Sequence, residues 1–201
     1  MISWWLAALA LTQAAHSHAA PSSAVALELA RRPVPLRSGI GVAHDDLTTQ
    51  SKQAQAFYDQ GLAYLHSYVW LEAARSFNQA LTLDSTLALA HAGLAVAYTE
   101  LNAPTAATAA LDRARALART DHDKRHVAAR ALQAEGKTAE YRRALDDALK
   151  AFPLDDELWL ARGQAASDDP AERGQGSVAR RFRSTRKRGR WRPAISPPTT
   201  T

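Results

Sequence analysis

Two groups of histidine and aspartate in the sequence carry the side chains needed for metal or acid–base chemistry. In the first, His122 and His126 are four residues apart, with Asp121 and Asp123 beside them. A helix would place both imidazoles on one face, and imidazole and carboxylate are ligands that zinc accepts. The alternative interpretation is an exposed helix start with Asp121 as its N-cap residue. We favour the helix start and predict no metal site.

The second group is His44-Asp45-Asp46, in a stretch without helical periodicity. These side chains could act as metal ligands or as an acid–base pair, whereas the alternative interpretation is a capped turn. We favour the turn. His66 and His91 fall within helical patterns, and we expect them to take part in packing and in lining a groove.

A search for catalytic motifs gives no nucleophile. The chain has no cysteine, which excludes disulfides, zinc–thiolate sites and thiol nucleophiles. The stretch "SGIGVA" lacks the third glycine and the strand–helix context of a phosphate-binding loop, and no serine lies in a nucleophile elbow. We therefore predict that the protein is not an enzyme, with no catalytic residue and no cofactor.

A repeat of 34 residues organises the chain from Ala54 onward. The eighth position of each unit holds a small residue, and the eleventh holds a large one in three of the four units. The residues at these positions are Gly61, Ala95, Ala129 and Gly163, and Tyr64, Tyr98, Leu132 and Ala166. Small residues allow two antiparallel helices to approach closely, and large ones fill the space between neighbouring pairs. The pattern predicts an all-α solenoid of about three and a half helical hairpins.

The stretch "FYDQGLAYLHSYVWLEAARSFNQALTLDS" resembles the tetratricopeptide repeat. The matching residues are Phe57, Gly61, Tyr64, Ala73, Phe77 and Ala80. The third unit is degenerate, since Arg125 stands at an aromatic position and Tyr141 at an alanine position. The resemblance implies a curved solenoid that binds a protein or peptide along its concave groove. The approach to the repeats also looks like that of bacterial exported repeat proteins.

The resemblance also implies which residues face the groove, with Tyr58, Leu62 and Val96 among them. The full predicted set is Gln55, Tyr58, Asp59, Leu62, His66, Leu89, Val96, Glu100, His126 and Arg130. We predict a non-catalytic scaffold that binds a protein or peptide partner there. The alternative for part of this surface is that it packs on residues 20–50 folding back over it. Neither the partner's identity nor the oligomeric state is legible in the sequence.

The domain prediction divides the chain into four parts. Residues 1–19 read as a signal peptide, too short for a membrane span, and predict a periplasmic or secreted protein, with a cytoplasmic one otherwise. Residues 20–50 are predicted to be an irregular linker, and 167–201 a disordered basic tail. Between them, residues 51–166 hold the repeats, with units at 54–87, 88–121 and 122–155 and a half unit at 156–166.

The basic tail has eight cationic side chains between Arg180 and Arg192 and no acid after Glu172. Such a tail suits nucleic acid or another anionic polymer, which is the alternative function. However, the tail starts where the second helix of the fourth unit is due. A change of frame by two bases in GC-rich codons can restore the repeat spacing. We therefore favour a frameshift and regard nucleic acid as an unfavoured partner.

Overall fold

The computed structural model describes residues 23–167, and all regular secondary structure in this range is α-helical. This confirms the predicted fold class of stacked helical hairpins. The helices are α1 (Ser23–Ala30), α2 (Lys52–His66), α3 (Trp70–Leu83), α4 (Ala88–Glu100), α5 (Pro104–Leu117), α6 (Asp121–Ala134), α7 (Thr138–Ala151) and α8 (Asp156–Ser167). The predicted signal peptide, basic tail and frameshift lie outside the described residues. None of the described helices is long and apolar enough to cross a membrane.

The helices follow the 34-residue register. Each of the pairs α2–α3, α4–α5 and α6–α7 packs as a hairpin, and α8 opens the fourth unit. Within the stack α2 also contacts α4, and α4 contacts α6. We call α2, α4, α6 and α8 the inner helices, because the first helix of each unit lines the concave face of such a solenoid. The space between them is the groove.

Local capping explains where several helices begin. Ser51 Oγ accepts a hydrogen bond from the backbone N–H of Ala54 at the start of α2, and Pro104 is the first residue of α5, where its missing N–H costs little. At α6 the N-cap residue is Thr120, which forms a capping box with Asp123. The prediction of Asp121 as the N-cap is therefore wrong by one residue, because the Thr120 hydroxyl takes that role.

Phe77 holds the first two units together. Its side chain is fully buried, and its ring lies between Gly61 of α2 and Gly93 of α4. A Cβ atom added at Gly61 would lie 2.5 Å from the ring, and one added at Gly93 would lie 2.6 Å from it. Only glycine leaves room for the ring at these two places. The predicted small residue at position eight thus has a packing partner in the neighbouring helices.

The described residues form two apolar cores that meet at α6. The larger one runs from Ala30 to Ala131 and includes Phe77, and the smaller one is built by α6, α7 and α8 around Leu145 and Leu158. Val127 belongs to the first core, whereas Ala129 belongs to the second. The third unit is thus joined to the first two mainly through one helix.

The predicted irregular linker needs a correction. Its residues Ser23–Ala30 form α1, because "SAVALELA" is composed largely of good helix formers. The helix packs against α3, where the Asn78 amide donates to the Ala30 carbonyl at 2.9 Å. The rest, residues 31–50, has no regular secondary structure. We call residues 31–50 the N-terminal segment.

Candidate functional site

Two glutamines of α2 anchor the N-terminal segment to the first unit. Gln60, which is buried, accepts from the N–H of Arg37 at 2.6 Å and donates to the Pro35 carbonyl at 3.1 Å. Gln55 accepts from the N–H of Leu47 and donates to the Asp45 carbonyl, both at 2.9 Å. Each amide thus satisfies both a donor and an acceptor of the irregular backbone. The segment therefore folds back over the groove.

This anchoring buries the carboxylate of Asp45. The Asp45 side chain is 7% exposed, and the hydroxyl of buried Tyr58 donates to its Oδ2 at 3.2 Å. Its other oxygen, Oδ1, lies 3.4 Å from Nε2 of His122. A residue from the irregular segment thus reaches the third repeat unit.

Four side chains from three parts of the chain converge at this point. They are Asp45, His122, His126 and Asp155, and we call them the Asp–His cluster. One ligand atom from each lies within 4.8 Å of the others. The two histidines come from one face of α6, with ring centroids 4.5 Å apart. The cluster joins the two groups that the sequence presents separately.

Asp155 lies at the centre of the cluster. Its Oδ2 is 2.8 Å from Nε2 of His122 and 2.7 Å from Nε2 of His126. Its Oδ1 accepts from the backbone N–H of Leu158 at 2.9 Å, in the manner of an N-cap before α8. The edge-on contact of His122 with Phe152, at 5.0 Å between ring centroids, fixes the imidazole from the other side. The donor atoms are therefore held in place by packing and by backbone.

Burial and pairing set the pKa values in the cluster in opposite directions. Burial raises the pKa of Asp45 to about 6, an effect that His126 opposes and Asp155 reinforces. Burial acts in the same sense on Asp155, but hydrogen bonds from His122 and His126 outweigh it and hold the pKa of Asp155 well below its usual range. The hydrogen bond to Asp155 raises the pKa of His122 against the effect of burial. Burial and the nearby Asp45 raise the pKa of Tyr58 well above its usual value. The cluster thus combines two buried carboxylates with two largely buried imidazoles.

An exposed ion pair flanks the cluster. His44 Nδ1 lies 2.8 Å from Asp59, and His44 Nε2 lies 3.0 Å from Asp46. The hydrogen bond to Asp59 is the main reason that the pKa of His44 is raised. Since the His44 side chain is 54% exposed, this pair is a surface contact that holds the N-terminal segment against α2.

The other part of the groove remains open as a cavity of about 290 Å³. Its apolar floor includes Leu65, Val96 and Leu160, and its charged lining includes Glu100 and Arg130. The remaining lining residues are His66, Tyr68, Trp70, Gln133, Glu157, Ala161 and Gln164. The cavity is thus built from all four inner helices, from the turn that follows α2 and from the first residue of α3.

The predicted groove residues divide between these two places. Those in the open cavity are His66, Val96, Glu100 and Arg130. Those in contact with the N-terminal segment are Gln55, Tyr58 and Asp59, and His126 belongs to the Asp–His cluster. Leu62 and Leu89 are 4% and 3% exposed and lie in the core. The alternative raised from the sequence, packing on residues 20–50, therefore describes the N-terminal half of α2, whereas His66 at its end stays in the open cavity.

Sequence reasoning missed Asp155, Glu157 and Gln60 as parts of the site. Asp155 is 33 residues after His122, one short of the repeat length, so the register could have placed the two close together. Glu157 is 7% exposed although it is charged, and Gln60 is a polar residue on a buried helical face. Nothing in the sequence indicates that Asp45 reaches α6, because the path of an irregular segment is not periodic.

Comparison with protein-family models matches residues 123–165 to the tetratricopeptide repeat. The match supports a tetratricopeptide repeat protein. The matched residues cover most of the third unit, which departs furthest from the repeat pattern, and most of α8. This part of the chain therefore conforms to the repeat despite Tyr141. Tetratricopeptide repeats generally mediate protein–protein interaction and typically serve as non-catalytic scaffolds. No curated protein and no solved structure matches the chain.

Proposed function

We propose that this chain is a tetratricopeptide repeat protein that acts as a non-catalytic scaffold and binds a peptide segment of a partner protein in the open cavity. The observation that supports this is the meeting of the inner helices α2, α4, α6 and α8 around one apolar floor. A volume of about 290 Å³ is at the small end for a ligand site. It suits one large apolar side chain of a peptide better than a cofactor.

Two aromatic residues of the cavity lining, exposed Tyr68 and half-buried Trp70, extend the surface. Tyr68 is 71% exposed and packs edge-on against Trp70, with ring centroids 5.4 Å apart. Tyrosine and tryptophan give much contact area at low entropic cost, and they are enriched at binding hot spots. A bound peptide would therefore place one apolar anchor in the cavity and lie against this aromatic pair.

The charged side chains around the cavity would determine which peptide residues bind next to the apolar anchor. Glu100 is an exposed acid on one side, and Arg130, whose guanidinium donates to Gln133 at 2.9 Å, is the cation on another. A peptide with a Lys or Arg near its apolar anchor would pair with Glu100. Such pairs at a rim set specificity and association rate more than affinity.

The test is selection of peptides from a random phage-displayed library on the immobilised full chain. Binding of the enriched peptides is then measured to Val96→Arg, which fills the cavity with a charged side chain, and to Glu100→Lys. The matched control is Val42→Arg, because Val42 is 99% exposed.

We expect Val42→Arg to bind like the wild type and Val96→Arg to lose about 10-fold or more in affinity, the size of a hot-spot loss. Glu100→Lys should weaken the binding of peptides that carry a cationic side chain. Circular dichroism of Val96→Arg and Glu100→Lys tests whether both variants are folded. Equal binding by Val96→Arg, or no enrichment from the library, would show that the cavity is not a peptide site.

A further inference from the structure

We propose that the Asp–His cluster binds a divalent transition metal ion of the zinc class. The donor set is two imidazole nitrogens and two carboxylate oxygens, which zinc accepts in tetrahedral sites. The four ligand atoms already lie within 4.8 Å of one another. This inference concerns a different part of the groove from the peptide cavity and does not depend on it.

The distances suit a small cation. In a tetrahedral zinc site with bonds of about 2.0–2.1 Å, neighbouring ligand atoms are about 3.3 Å apart. Here Nε2 of His122 lies 3.4 Å from Asp45 and 2.8 Å from Asp155, and Nε2 of His126 lies 2.7 Å from Asp155. Opening the two short contacts by about half an ångström would bring them to the tetrahedral spacing.

Each carboxylate already has one oxygen held by a protein donor and the other directed at the imidazoles. Tyr58 donates to Oδ2 of Asp45 while Oδ1 faces His122. The Leu158 N–H donates to Oδ1 of Asp155 while Oδ2 faces both histidines. This is the arrangement of one-oxygen ligation with outer hydrogen bonds that orient the ligands.

Burial gives a reason for a cation at this place. The side chains of Asp45 and Asp155 are 7% and 6% exposed, and Glu157 is buried close by. Bringing carboxylates together away from water is costly unless a positive charge accompanies them. A divalent ion would supply that charge and would tie the N-terminal segment to α6 and α8.

The test is zinc binding to the full chain by isothermal titration calorimetry after treatment with EDTA. We expect one zinc ion per chain, and a zinc-dependent rise in melting temperature because only the folded state holds the site. Asp45→Asn and His126→Gln should each weaken binding by about 10-fold or more, since even outer-shell changes cost about 10-fold. Cobalt should give the visible spectrum of a tetrahedral site.

Matched controls separate this site from other histidines. His91→Gln changes a histidine of α4 away from the cluster, and His16→Gln/His18→Gln removes the pair near the N-terminus. Both should bind zinc as the wild type does. Melting in EDTA shows whether the ligand variants fold without metal. Absence of a saturable zinc site in the wild type, or unchanged binding in Asp45→Asn and His126→Gln, would overturn the proposal.

Discussion

His66 near the end of α2 and Glu157 near the start of α8 are 91 residues apart in sequence, yet Nε2 of the imidazole lies 3.0 Å from Oε2 of the carboxylate. The first and fourth units therefore touch across the groove. Both residues line the open cavity. Since the Glu157 side chain is 8% exposed, its imidazole partner matters for the free energy of unfolding.

Replacing His66 by alanine should destabilise the fold. The change removes the imidazole partner of a buried carboxylate, and leaving such a group unsatisfied costs about 1–3 kcal/mol. Glu157→Gln should cost less, because an amide can still bond to the imidazole. Urea unfolding of both single variants and of the double variant gives the coupling energy, and a coupling near zero would contradict the contact.

Gly93→Ala should also lower the free energy of unfolding. Its Cβ atom would lie 2.6 Å from the Phe77 ring, and overpacking of this kind costs about 1–3 kcal/mol. Alanine regains about 1 kcal/mol of helix propensity, so we expect a net loss of at most about 2 kcal/mol. In a Phe77→Leu background the added methyl group has room, and the loss should shrink. Equal losses in both backgrounds, measured by urea unfolding, would contradict the predicted clash.

Gln60→Ala should release the N-terminal segment while the repeats stay folded. The amide bonds both Arg37 and Pro35 of the segment, so we expect faster hydrogen exchange in residues 33–48, with a loss of about 1–3 kcal/mol. Gln53→Ala changes an exposed glutamine of the same helix and is the control. Mass spectrometry of peptic fragments measures the exchange. Unchanged protection in Gln60→Ala would mean that the other contacts hold the segment by themselves.

Protonation of His91 should lower the free energy of unfolding in mild acid. Burial lowers the pKa of His91, and Arg113 acts in the same direction, while the Ser85 carbonyl opposes them. The imidazole of His91 therefore binds a proton more tightly in the unfolded chain than in the folded one. Its contribution to the free energy of unfolding is complete only above the ordinary histidine pKa of about 6.5. That contribution is lost as the pH falls below this value.

His91→Gln removes that titration. Its free energy of unfolding should fall less than that of the wild type between about pH 7 and pH 5, the range around the unperturbed histidine pKa. Parallel urea titrations at several pH values measure the difference. Identical pH profiles for the two proteins would refute the expectation.

The sequence predicts the regular part of this fold well, for a physical reason. A 34-residue period fixes which residues of successive hairpins meet, so the inner helices begin within two residues of the unit boundaries. Gly61 and Phe77 are both repeat positions, and their contact follows from that geometry. The same register also brings Asp155 close to His122.

The candidate site was predictable only in part. Both histidine groups contain possible metal ligands, but each by itself is a common surface pattern. The two groups are brought together by the path of the N-terminal segment. Individual hydrogen bonds with the Gln55 and Gln60 side chains set this path, and the 34-residue repeat does not. The helix α1 was missed because proline and glycine a few residues later suggested irregular structure throughout.

The division of the apolar core at α6 has a consequence for how the chain opens. Phe77 belongs to two units at once, so these units should unfold as one cooperative block. We expect the smaller core, which α7 and α8 share with α6, to open at a lower free energy and to release α7 and α8. Such partial opening would carry Asp155 and Glu157 away together and leave Asp45 and His66 in place. The inner face would then be uncovered from its C-terminal end. A partner or an ion bound between the two blocks would stabilise the closed state against this opening.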